Sequence, residues 1–179
     1  PCIAIFQRKE GSHLRLFDNL AEVIDLAKSF STCVQLTTLT SNSSMAEAFD
    51  LFNSFDVLIT PHGSHLTNGI LIRKETPFMP AIIEMMATCY NEDWKKNLKK
   101  FTSYYSISTG HEVTSRNVQA KLQPCRARTV CAPTEDCPIG LLKTAIQSNF
   151  KVNITKLRID LKAALDTRAA QLKAANISC

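Results

Sequence analysis

The chain has 179 residues, 45% hydrophobic and 21% charged, with a net charge of +5. That is enough apolar material for a sizeable core and an ordinary balance for a soluble globular protein. No apolar stretch approaches the length of a membrane span, and the basic residues are spread rather than clustered, so the surplus charge suits an anionic ligand and speaks against nucleic acid.

The first residues, Pro1-Cys2-Ile3-Ala4-Ile5-Phe6, carry no initiator Met and no signal-like segment, and read as a piece cut from a longer protein. Cys2 to Gln7 is expected to be a buried strand, followed by a turn at Gly11 and Ser12. A helical stripe of Leu20, Val23, Ile24, Ala27 and Phe30 follows, with Asn19 and Glu22 spaced as a capping box. Cys33 to Leu39 reads as a second strand. Ser44 and Glu47 repeat the capping-box pattern before a helix expected to bury Met45, Ala48, Phe49 and Phe52. Further strands are expected at Phe55–Thr60, Ala81–Met85 and Tyr104–Ser108, and helices at Leu66–Ile72, Asn91–Lys100 and Val152–Ala175.

Near-continuously apolar strands alternating with helices predict an α/β fold, a Rossmann-like doubly wound parallel sheet. The division expected is a Rossmann-like lobe over residues 1–108, an irregular cysteine-containing segment over 109–150 and an amphipathic helix over 151–179. Seven cysteines are many for a cytosolic domain. Cys125, Cys131 and Cys137, spaced by six, do not resemble zinc ligation, which favours disulfides in an oxidising compartment. The sequons at Asn42, Asn153 and Asn176 agree with a lumenal or secreted setting.

The densest chemistry lies in Phe55-Asp-Val-Leu-Ile-Thr-Pro-His-Gly-Ser-His-Leu-Thr-Asn68. An apolar strand runs into Pro61, and His62-Gly63 form a turn before a helix start. Free N–H groups and the helix dipole favour a phosphate at such a place, and Gly63 lets the backbone approach it. In a parallel sheet, ligands sit beyond the carboxyl ends of the strands. Arg8 after the first strand, His62 after the third and Glu84 near the end of the fourth fall there. They make a site for a nucleotide diphosphate: Arg8 for phosphate charge, His62 for a hydrogen bond, Glu84 for ribose hydroxyls. A carboxylate inside Ile82-Ile83-Glu84-Met85-Met86 needs a partner in any case. His65 reads as a residue of the helix face, and Asn68 also reads as a stitch of the turn.

These residues carry a resemblance. From Ile3 to Tyr105 the chain resembles the carboxyl-terminal half of glycosyltransferase family 61, which includes plant xylan-decorating transferases and animal O-linked N-acetylglucosamine transferases of the secretory pathway. The family pattern is an apolar strand, His-Gly-Ala-Gly-Leu, a small polar residue and Asn, then an apolar-apolar-Glu strand. Here it matches His62, Gly63, Thr67, Asn68 and Glu84, with Arg8, Arg15 and Asn19 upstream. Ser64-His65 replaces Ala-Gly and adds bulk where the family has none. The resemblance implies one lobe of a GT-B fold that binds a nucleotide sugar, UDP-linked, for inverting transfer to a glycan or protein hydroxyl. His62 would be catalytic, and Arg8, Arg15, Asn19, Gly63, Ser64, Thr67, Asn68 and Glu84 would bind the donor. It implies no metal and no further cofactor, a general base on a missing amino-terminal lobe, and the lumen of the Golgi or endoplasmic reticulum. A degenerate, non-catalytic binding module is the alternative.

Overall fold

Five short apolar runs, each bounded by polar or turn-forming residues, become five parallel strands. The computed structural model describes residues 1–7, 15–39, 43–73, 79–86, 99–108, 111–114 and 147–176. In chain order they form β1 (Cys2–Phe6), α1 (Leu20–Lys28), β2 (Cys33–Thr37), α2 (Met45–Phe52), β3 (Val57–Pro61), a 3-10 helix (Ser64–Leu71), β4 (Ala81–Met85) and β5 (Tyr104–Ser108). Two short strands, β6 (Glu112–Val113) and β7 (Phe150–Lys151), precede a long helix, α3 (Ile154–Ala174). The main sheet has the order β2-β1-β3-β4-β5, and every pairing in it is parallel. The chain therefore winds outward from β1 in one direction and from β3 in the other, as a doubly wound α/β fold does.

Alternation along the strands divides the core between the two faces. Ile3, Ile5, Val57, Ile59, Ala81, Ile83 and Met85 pack beneath α1 and α3, together with Val23, Leu26, Leu157, Leu161 and Ala164. Ala4, Phe6, Leu58, Ile82 and Tyr105 face the other way, against Phe52 of α2 and Leu66 of the 3-10 helix. Arg168 of α3 pairs with Asp56 at 2.5 Å, and Asp56 accepts the Cys2 N–H at 2.6 Å, which ties α3 to the base of β1 and β3. Cys2 and Cys33, register partners on β1 and β2, form a disulfide. Cys125, Cys131 and Cys137, and residues 91–98 of the expected polar helix, lie outside the described residues.

Local expectations fare unequally. At α2 the capping box forms: Ser44 Oγ accepts the Glu47 N–H at 3.2 Å, and the Glu47 carboxylate accepts the Ser44 N–H at 2.6 Å. At α1 it does not, because Asn19 Oδ1 accepts the Val152 N–H at 2.7 Å instead of capping the helix. Met45, expected in the core, is 69% exposed, and burial in α2 is carried by Ala48 and Phe52. The helix expected over Leu66–Ile72 starts earlier and is a 3-10 helix. Thr67, Asn68 and Gly69 are poor α-helix formers, and short segments of this kind settle for i to i+3 bonding, as from Leu66 N–H to the Gly63 carbonyl at 3.1 Å. No helix among the described residues is long and apolar enough to cross a membrane.

Candidate functional site

The strand order reverses between β1 and β3, and the crevice at their carboxyl ends is where such sheets bind ligands. His62 follows β3 there. Its backbone continues the ladder, because its N–H donates to the Met85 carbonyl at 3.0 Å. The strand-ending Pro61 lacks a donor and does not interrupt that bond. Period-two alternation then sets Leu58, Thr60 and His62 on the same face as Ile82 and Glu84, and Thr60 and Glu84 are register partners.

Glu84 is fully buried. A buried carboxylate is costly unless both oxygens are satisfied, and here they are. Oε1 meets Nδ1 of His62, and Oε2 accepts the Tyr105 hydroxyl. Against an ionised carboxylate, which only accepts, Nδ1 of His62 is the nitrogen that carries the proton, and Nε2 is the second, chemically distinct nitrogen of the ring. The His62 side chain is 28% exposed. Burial first, then the charge of Glu84 and its hydrogen bond, push the Tyr105 phenol well above its ordinary value of 10, so the hydroxyl stays protonated and donates.

On the other side of the crevice stands Arg15, in the loop after β1. It adopts a left-handed backbone with φ of 86°, unusual for a residue with a Cβ. Asn149, far along the chain, holds it there: its Oδ1 accepts the N–H groups of Arg15 and Leu16 at 3.1 and 3.0 Å. Beside it, Phe150 accepts from Asp18 N–H and donates to the Leu16 carbonyl. Held this way, the Arg15 guanidinium donates through Nη1 to the His62 carbonyl at 2.7 Å. A guanidinium from one side of the switch point is thus bonded to the backbone of His62, which carries the imidazole, on the other.

His65, the bulky replacement in the motif, turns towards the sheet. Its ring stacks on Phe6 at 4.0 Å with 8° between the planes, and Nε2 lies 2.6 Å from Thr60 Oγ1. The Thr60 hydroxyl spends its proton on the Pro61 carbonyl, so His65 Nε2 is the donor of that pair. Of the remaining expected residues, Gly63 is buried, and Ser64 and Thr67 are exposed, with Thr67 Oγ1 donating to the Ser64 carbonyl at 2.6 Å. Asn68 is half-buried in the 3-10 helix. Asn19 spends its amide on both backbone groups of Val152 and on Glu22. Arg8 lies outside the described residues.

Two residues the sequence did not single out build the site. Tyr105 had one signal: a tyrosine on the strand expected next to that of Glu84. Asn149 had none, since it falls in a segment without periodicity.

Against known proteins, residues 2–79 match the family model described as Glycosyltransferase 61. No curated protein matches the chain. The matched segment, less than half of the chain, includes Arg15, His62 and the turn after β3, whereas Glu84, Tyr105 and Asn149 lie beyond it.

Proposed function

We propose that the chain, similar over residues 2–79 to the glycosyltransferase 61 family, is the lobe that binds the nucleotide-sugar donor, UDP-linked, of an inverting glycosyltransferase in the secretory lumen. The observation that carries the reading is the junction of Arg15 with His62 at the β1/β3 switch point, backed by Glu84. In inverting transfer an acceptor hydroxyl of a glycan or protein attacks the anomeric carbon as the bond to the diphosphate breaks. The electron pair leaves with the diphosphate, and a general base removes the acceptor's proton. What a donor lobe contributes is stabilisation of the departing charge.

Arg15 supplies a permanent cation and a planar fork suited to phosphate. His62 supplies a second donor through Nε2 when its ring is protonated, with Glu84 as counterion at Nδ1. Arg8, matching the family's strand-end Arg, is assigned to the same phosphates. The base is assigned to a second lobe, in keeping with the two-lobed GT-B architecture of the family.

Calorimetric titration with UDP tests this. His62→Gln removes the ring charge while its amide can still donate to Glu84, and Arg15→Gln removes the guanidinium. Each is expected to weaken UDP by about 1–3 kcal/mol, the worth of a charge-assisted bond. Undiminished affinity in both folded variants, or no saturable binding by the parent chain, overturns the reading. Binding by a full-length protein that transfers no sugar would select a non-catalytic module instead.

A further inference from the structure

The Glu84 carboxylate has a second partner that the donor-binding reading leaves unused. Tyr105 is 7% exposed and its hydroxyl is spent entirely on Glu84 Oε2. Its register partner on β4 is Ile82, so Glu84 lies two residues further along the same face. Diagonal neighbours on adjacent strands are within reach of a long aromatic side chain. A phenylalanine would fill this apolar pocket, among Ile82, Leu58 and Leu66, equally well. The hydroxyl therefore has a polar purpose: without it one oxygen of a fully buried carboxylate loses its donor.

We infer that Tyr105 is a positioning residue, which orients Glu84 so that the proton of His62 is fixed on Nδ1 and Nε2 is the nitrogen presented at the switch point. Tyr105 grips Oε2, leaving Oε1 aimed at the ring, and a carboxylate held at one oxygen cannot rotate away from the imidazole. Arg15, in the loop after β1, holds the His62 carbonyl, and Met85 of β4 holds its N–H, so the backbone that carries the ring is fixed as well. The role in donor binding rests on the proposed function. The effect on the ring does not.

The test is nitrogen-15 NMR of the four histidine rings in the whole chain at mildly alkaline pH, where neutral rings report their tautomer, with UDP titrations at mildly acidic pH. The parent should show His62 protonated at Nδ1. In Tyr105→Phe a mixture of tautomers should appear at His62, and UDP affinity should fall about threefold to tenfold, the effect of one lost hydrogen bond. Tyr104→Phe, which removes a hydroxyl from the opposite face of β5, should change neither. In a Glu84→Gln background, Tyr105→Phe should have no further effect on either readout. Replacing tyrosine by 3-fluorotyrosine, which keeps the side chain and strengthens its O–H as a donor, should shift the His62 Nδ1 resonance without threatening the fold.

An unchanged His62 tautomer in Tyr105→Phe overturns the inference. So does an unshifted resonance with fluorotyrosine, or an additive loss in the double variant. If the parent itself fails to bind UDP, the donor-lobe reading fails, and the ring resonances alone decide the role of Tyr105.

Discussion

Individual side chains in this protein are bound to distant parts of the chain, and His111 shows what that costs. It is 4% exposed, stacks on Phe150 and accepts the Asn153 N–H at Nδ1. Burial first, and then the charge of Lys156, lower its pKa from the ordinary 6.5 to about 4, with the Ser108 backbone acting the other way. Between about 4 and 6.5 the unfolded chain therefore binds a proton that the folded chain refuses. Stability is complete above 6.5 and is lost as pH falls from there towards 4. The full effect is on the order of 3 kcal/mol. His111→Gln, whose amide oxygen can still accept from Asn153, should lose clearly less stability than the parent between pH 7.5 and pH 5 in urea titrations. Equal losses would remove His111 as the cause. Nothing in the sequence around His111 announces its packing against Phe150. His62 and Glu84 were legible, the one from the Pro-His-Gly turn and the other from a carboxylate inside an apolar strand. The bonds from Asn149 and Tyr105 that hold the site were not, since they depend on register and on contacts far apart in the chain.

At the level of elements, three helix starts with suitable cap residues have different fates. Ser44 closes a capping box, and Asn153 caps α3 by accepting the Lys156 N–H at 3.0 Å. Asn19 leaves its helix to bind both backbone groups of Val152, at 2.7 and 3.1 Å. Val152 is buried, so these bonds have no water to replace them. Ser44→Ala should cost about 1 kcal/mol, the usual worth of an exposed cap. Asn19→Ala should cost more, about 2–4 kcal/mol, because two buried backbone groups lose their partners. Chemical denaturation of the two variants decides it, and an Asn19→Ala cost no larger than that of Ser44→Ala would contradict the assignment. All five strands were legible because apolar runs of strand length between turn residues admit little else. The 3-10 helix was not, because Leu66, Gly69 and Ile72 satisfy either helical period over so short a stretch.

The whole molecule is larger than its family-matched segment in a physical sense. Residues 2–79 contain β1, β2 and β3 but neither β4 nor β5 nor α3. Yet Ala81, Ile83 and Met85 share one core cluster with Ile3, Ile5, Val57 and Ile59, and Leu157, Leu161 and Ala164 of α3 cover it. Without those residues β3 becomes an open edge, and the face beneath α3 is exposed to water, a loss of about 1.5–3 kcal/mol for each large side chain no longer buried. A domain holds only about 5–15 kcal/mol in total. The peptide 1–79 should therefore fail to fold cooperatively, by circular dichroism and by NMR shift dispersion. In the intact chain Leu161→Ala should cost about 2–5 kcal/mol. α3 lies on the face of the sheet opposite Glu84 and Tyr105, so that loss should leave UDP affinity per folded molecule unchanged. A cooperative transition from peptide 1–79 would show that the matched segment folds alone. A fall in UDP affinity in folded Leu161→Ala would show that the two faces are coupled, so that the long carboxyl-terminal helix shapes the site as well as supporting the sheet.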